Sequence, residues 1–271
     1  MTIKTKMWVL LTCVFSFGSL FGFLKPASAE VVTESVIYHH GDTELEGYLA
    51  YPVDSDAEER KHPAVLVFHE WKGLNDYAKG RARQLAELGY VAFAVDMYGR
   101  GIYARDHVEA GQLAGALKGD RALMRERARA AYDVLRNNPH VLGDKIAAIG
   151  YCFGGTAVLE MARAGMDLVA VVSFHGGLET PSPAAPGVIK AKVLVLQGAE
   201  DPFVKHDEVE ALKDEMRKAG ADFKVELFEG AVHSFTVPEA GNDPSKGAAY
   251  SADADKRSWQ MMKDLFQQVL S

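Results

Sequence analysis

Six short apolar runs constrain what this chain can fold into: PAVLVFHE, GYVAFAVDM, KIAAIGYC, LVAVVSFHG, KVLVLQG and KVELFEG. They are rich in Val and do not alternate with polar residues, which suits strands buried on both faces of a parallel sheet. Helical patterns lie between them at 77–88, 120–137, 154–165 and 206–219, and KRSWQMMKDLFQQVL supplies a last amphipathic helix. Ahead of the runs, VIYHHGDTELEGYLAYP reads as a hairpin about Gly41-Asp42, followed by the charged loop DSDAEERKH. The order predicts an α/β fold: a mostly parallel, doubly wound sheet with an antiparallel N-terminal hairpin and helices on both faces.

The first residues belong to a different kind of segment. Lys4 and Lys6 precede the apolar run MWVLLTCVFSFGSLFGFL, and KPASAE follows with the small-residue site Ala27-Ser28-Ala29. This is the layout of an export signal covering residues 1–29, and the small residues favour cleavage over an uncleaved anchor. Thr12 before Cys13 argues against lipid attachment. The remaining chain, residues 30–271, suits one large α/β domain, exported to the periplasm or beyond, with no stable membrane insertion. The formal net charge is −7, and loss of a segment holding lysines but no acids makes it more negative. Such a surface disfavours nucleic acid as a partner, and a monomer is expected. Of two cysteines only Cys152 survives cleavage, so no internal disulfide can form.

In a doubly wound sheet the C-terminal strand ends and their loops form the ligand crevice. Those ends carry His69-Glu70-Trp71, Asp96-Met97-Tyr98, Tyr151-Cys152, Phe174-His175, Asp201 and His233. AIGYCFGGTA has the form of a nucleophile elbow, G-x-S-x-G, with Cys152 where serine usually stands. Gly150 and Gly154 give the turn its room, and the following helix N-terminus favours a thiolate. Asp201 lies in the turn GAEDPFV and His233 in AVHSF. Taken singly, Asp201 can be a turn residue before Pro202, His233 a loop histidine and Cys152 a small core residue. The order nucleophile, acid, histidine is that of the α/β-hydrolases.

The motifs HEWKGLN, GYVAFAVDMYG, GYCFGG, GAEDPFV and GAVHSF together resemble the dienelactone hydrolases (carboxymethylenebutenolidases) of the α/β-hydrolase superfamily. The resemblance runs from the hairpin to the final helix. It implies a lactone or small-ester hydrolase with Cys152 as nucleophile, His233 as proton shuttle and Asp201 as its orienting acid. It also implies that Glu70 takes the thiol proton, and that the backbone N–H groups of Trp71 and Phe153 form the oxyanion hole. Tyr98, Arg100, His175, Ser234 and Val237 are the expected substrate-binding positions. No cofactor or metal is expected: the H-E pair at His69-Glu70 is not an H-E-x-x-H zinc motif, because Gly73 stands at its fifth position.

The sequence departs from the family at the acid-binding apparatus. Dienelactone-cleaving members carry an arginine three residues after the serine of HS, where this chain has Val237. Arg100, Arg105 and Arg121 are candidates for a second family arginine, and a family tyrosine pair is replaced by Phe174-His175. Two other classes stay open: a binding module on an inactive hydrolase fold, and a thiol-redox protein. The first is disfavoured because each catalytic residue type is present, the second because no resolving cysteine remains. Loops at 175–191 and 234–254 are expected to frame the entrance. The exported form should begin at Glu30, which N-terminal sequencing of envelope-fraction protein reads directly. An intact Met1 chain recovered in membranes would mean an anchor instead.

Overall fold

In the computed structural model, residues 30–53 and 60–271 are described; the segment 1–29 expected to be an export signal and most of the charged loop after the hairpin lie outside them. The hairpin is present as β1 (Val31–His40) and β2 (Thr43–Pro52), paired antiparallel in register from Val31↔Pro52 to His40↔Thr43. Gly41 makes its turn at φ 54°, a backbone angle that favours glycine. The six apolar runs become β3 (His62–Phe68), β4 (Val91–Val95), β5 (Val141–Tyr151), β6 (Ala170–Phe174), β7 (Lys192–Gly198) and β8 (Phe223–Phe228). They form one eight-stranded sheet in the order β1-β2-β4-β3-β5-β6-β7-β8. The β2–β4 pairing is antiparallel and every pairing from β4 to β8 is parallel.

Side chains of a strand point alternately to opposite faces, so a strand apolar throughout must be covered on both. On β3, Ala64, Leu66 and Phe68 join one buried cluster while Val65 and Val67 join the other. β4 divides likewise, with Val91, Phe93 and Val95 on the first face and Ala92 and Ala94 on the second. The first face is covered by α2 (His107–Gly119), α3 (Arg121–Arg136), α4 (Phe153–Arg163) and α5 (His206–Ala219). The second is covered by α1 (Asp76–Glu87) and α6 (Ala252–Val269). None of the described helices is long and apolar enough to cross a membrane.

Helix α2 is an addition to the sequence expectation. Its glycines at 111, 115 and 119 dilute the apolar stripe, and only Ala110, Ala114 and Leu117 are buried. A signal was nevertheless present: Asp106 stands three residues before Glu109, and its side chain accepts from the Glu109 N–H at 2.9 Å. Helix α4 is the opposite case, since all its residues from Phe153 to Arg163 are buried. It is wedged into the middle of the molecule and carries the elbow at its N-terminus.

Candidate active site

The elbow follows directly from the crowding around α4. Cys152 follows β5 at φ 52°, ψ −114°, a conformation that strains a residue with a side chain. Its N–H donates to the Phe174 carbonyl of β6 at 3.0 Å, and its carbonyl accepts from Gly155 at 3.0 Å. The two flanking glycines are sterically required. A Cβ on Gly150 would lie 2.0 Å from the Gly154 oxygen, and one on Gly154 would lie 2.4 Å from the Phe68 oxygen. The strained turn leaves Cys152 part-exposed and unbridged, at the N-terminal end of a buried helix.

Asp201 sits in the turn after β7, buried, with both of its carboxylate oxygens hydrogen-bonded. Oδ1 accepts from the Phe203 N–H at 2.9 Å; Oδ2 accepts from Gln197 Nε2 at 2.6 Å and pairs with His233 Nδ1 at 2.8 Å. The histidine's loop is itself pinned: the His233 N–H donates to Gly247 at 3.2 Å and its carbonyl accepts from Ala249 at 3.0 Å. His233 also hydrogen-bonds Cys152. Burial opposes a charge on this imidazole, but the Cys152 charge, the Asp201 hydrogen bond and the Cys152 hydrogen bond outweigh it, raising its pKa to about 10. The structure therefore brings Cys152, His233 and Asp201 into one hydrogen-bonded line from three strand ends.

Glu70 follows β3 and is tied to the histidine's loop, its Oε1 accepting from Ser234 Oγ at 3.2 Å. Burial raises its carboxyl above the usual range, while the charge of His233 and the Ser234 bond pull the other way. Ser234, at φ 54°, thus serves Glu70. Phe153 is the first residue of α4, where an N–H has no intrahelical acceptor, and Trp71 lies in the turn after Glu70. Among the described residues no group of His, Cys, Asp and Glu is arranged to hold a metal ion.

Several expected substrate-binding residues are engaged elsewhere. Arg100 donates to Glu44 at 2.8 Å and Glu46 at 3.2 Å on the hairpin surface, so its charge is spent there. Arg105 pairs with Glu109 at 3.0 Å on the exposed start of α2, and Arg121 lies against buried Glu160 beside α4. His175 is fully buried rather than open to a ligand. At φ 40° its ring turns behind the site, 5.2 Å edge-on from His233, with Nε2 2.8 Å from Thr236 Oγ1. Burial first, and the His233 charge second, hold it well below the ordinary imidazole value. Tyr98 is buried and donates to the Trp71 carbonyl at 2.8 Å. Val237 is only 7 % exposed and closes a turn onto the Ser234 carbonyl at 2.9 Å.

The structure adds residues that the sequence reading passed over. Thr236 Oγ1 lies 2.6 Å from the Tyr77 hydroxyl, which accepts from Arg81 Nε at 3.2 Å; Arg81 reaches the Thr236 carbonyl at 3.1 Å and Asp255 at 2.5 Å. A charged residue on the buried stripe of α1, beside Ala78, Ala82 and Leu85, was the signal for this network. Gln197, a polar residue inside an apolar strand, was the signal for the Asp201 clamp. Phe203 is 62 % exposed with its ring 5.3 Å edge-on from His233, giving the rim an apolar surface.

Residues 45–270 match the dienelactone hydrolase family. A dienelactone hydrolase-like promiscuous phosphotriesterase from metagenomic libraries is 41% identical, with a TM-score of 0.82 over 89% of this chain and 99% of that one. A carboxymethylenebutenolidase homologue from Aquifex aeolicus is 28% identical over 242 residues, 88% of this chain and 99% of its own. Dipeptidyl peptidase 4 of Porphyromonas gingivalis, at 18% identity and a TM-score of 0.64 over 87% of this chain and 35% of its own, shares the α/β-hydrolase fold alone.

The raised imidazole gives the site a distinctive pH dependence. Because the folded value lies above the unfolded one of about 6.5, the pairing stabilises the fold fully below that pH and is lost as pH rises through about 10. If imidazolium is the acid of the reaction, kcat/KM for a neutral ester should persist into alkaline solution and fall through about 10. A rate that instead climbs through about 6.5 would show a neutral imidazole acting as base on an uncharged thiol.

Proposed function

Because this chain belongs to the dienelactone hydrolase family, we propose that it is a hydrolase of lactones or small carboxylic esters working through a Cys-His-Asp triad and a thioester acyl-enzyme. The hydrogen-bonded line of Cys152, His233 and Asp201 at three strand ends is the observation that supports this reading most. The Cys152 sulfur attacks the ester carbonyl, and the oxygen that becomes negative is met by the N–H groups of Trp71 and Phe153. Collapse of this intermediate breaks the carbon–oxygen bond, and His233 gives its proton to the departing alkoxide. The now neutral imidazole takes a proton from water as that water attacks the thioester. The acid leaves, and the thiolate and imidazolium are restored. Asp201 holds the ring in one tautomer throughout, and Glu70 is the proposed first acceptor of the thiol proton.

The binding-module and redox readings have less support. A binder has no need of a thiol hydrogen-bonded to an Asp-held histidine, and no second described cysteine is available to resolve a disulfide. Export of the domain by its N-terminal segment belongs to the same proposal.

Substrate charge is inferred from the residues expected to meet a carboxylate. Burying a carboxylate requires a paired cation, since an unpaired charge in a pocket costs several kcal/mol. Val237 offers none, Arg100 and Arg105 are committed to glutamates, and Arg121 lies against buried Glu160. Neutral lactones and short esters are therefore the proposed substrates. The phosphotriesterase relative supports extending the reading to neutral phosphotriesters, in which the same sulfur would attack phosphorus and expel an alcohol.

Cys152→Ala should fold and lose hydrolysis of p-nitrophenyl acetate and of diethyl p-nitrophenyl phosphate alike. Cys152→Ser should retain only a small part of the activity, because a hydroxyl is far less acidic than a thiol. Wild-type turnover in the alanine variant would remove Cys152 as nucleophile. On a matched lactone pair, one bearing a free carboxylate and one its methyl ester, kcat/KM for the ester should equal or exceed that for the acid. A tenfold or greater preference for the acid, roughly 1.4 kcal/mol, would mean that a cation not considered above binds it.

A further inference from the structure

His69 is a fully buried imidazole that the hydrolytic steps do not use. Its ring is packed between Tyr98, 4.9 Å away edge-on, and Phe153, stacked at 5.8 Å. The Met97 N–H donates to Nε2 at 3.3 Å, so Nε2 must present a lone pair. Nδ1 bonds the Glu70 carbonyl oxygen, which can only accept, so Nδ1 must carry the proton. These two partners define one neutral tautomer. A second proton would sit on Nε2 facing the Met97 N–H, and burial disfavours that charge as well.

The carbonyl that His69 holds shares a peptide unit with the Trp71 N–H. In a planar trans peptide the two bonds point in opposite directions, so fixing the Glu70 carbonyl fixes the direction of the Trp71 N–H. The Gly73 N–H reaches the same oxygen at 3.5 Å. The next peptide is held as well, because the Tyr98 hydroxyl donates to the Trp71 carbonyl at 2.8 Å. Trp71 is thus clamped on both sides by two buried side chains that also pack against Phe153, the residue bearing the other proposed oxyanion donor. We propose that His69 and Tyr98 are positioning residues that aim the Trp71 N–H at the reacting oxygen, an inference that rests on the ester-hydrolase reading. Neither has to touch substrate.

A misdirected donor weakens the transition state more than the bound substrate, which separates this role from general support of the fold. The asparagine amide nitrogen sits one bond beyond Cγ, as Nδ1 does, whereas that of glutamine lies one bond farther. His69→Asn should therefore keep the donor to Glu70 and stay within about fivefold of wild-type kcat on p-nitrophenyl acetate. His69→Gln should lose about 10- to 100-fold in kcat, less than the loss for deleting an oxyanion donor outright, with KM changed less than about threefold. The rate of Cys152 alkylation by iodoacetamide should stay at the wild-type value in both, because the thiol and imidazole are not touched. Tyr98→Phe removes only the Trp71 bond; it should lower kcat in the same pattern, and it decides the matter if the His69 variants do not fold. Wild-type kcat in folded His69→Gln or in Tyr98→Phe would overturn the proposal, as would alkylation slowing in step with kcat. A wild-type enzyme inert toward p-nitrophenyl acetate would instead overturn the ester-hydrolase reading beneath it.

Discussion

The architecture of the site depends on how closely the start of α4 approaches the ends of β3 and β6. At Gly154 the chain passes so near the Phe68 carbonyl that no side chain could be accommodated, and Gly150 is equally pressed by Gly154. This contact lets Cys152 adopt its strained angle and point away from the sheet. It also fixes the two backbone segments that flank the thiol, the turn at Glu70-Trp71 and the first turn of α4. The strain is sustained because the surrounding helix is buried on all sides, with Glu160 and Arg163 inside it paired to each other at 3.1 Å and Arg163 to Glu215 at 2.8 Å.

A second buried system holds the histidine. From Asp255 on α6 the contacts run through Arg81 to Tyr77 and Thr236, then to His175, which packs against His233. Arg81 also lies over the rings of Tyr77, Tyr151 and Trp259. An arginine so enclosed must keep its partners, since removing one member of a buried pair typically costs about 3–5 kcal/mol. The network joins α1, α6 and the loop carrying His233 through Val237. The position of His233 is thereby tied to the second face of the sheet, on the side away from α4. His175 can lie beside a charged imidazole because its own surroundings keep it neutral.

The strands, and the strand ends that meet around Cys152, were legible in the sequence for physical reasons. A strand covered on both faces has to be apolar at consecutive positions, and residues at its C-terminal end open into the crevice of a parallel sheet. That Cys152, Asp201 and His233 come together could be read because each stands at such an end. His175 stands at one too, yet its backbone angle turns the ring inward, and position along a strand does not encode that choice. The ion pairs of Arg100 and Arg105 were hidden for a related reason: their partners Glu44, Glu46 and Glu109 were visible as residues but not as neighbours. The Arg81 network joins residues 77, 81, 175, 236 and 255, a set that only the tertiary fold assembles. Helix α2 was hidden by its glycines, although its cap was written in Asp106 and Glu109.

The proposed reaction is covalent chemistry at one sulfur, hydrogen-bonded to His233 and placed by the elbow. The most direct measurement is to mix the protein with p-nitrophenyl acetate, quench in acid during turnover, and map the peptides by mass spectrometry. A single acetyl group on the peptide containing Cys152, chased away when hydrolysis is allowed to finish, is the predicted result. Turnover with no acetyl group at Cys152, or with the acetyl group on another residue, would contradict it.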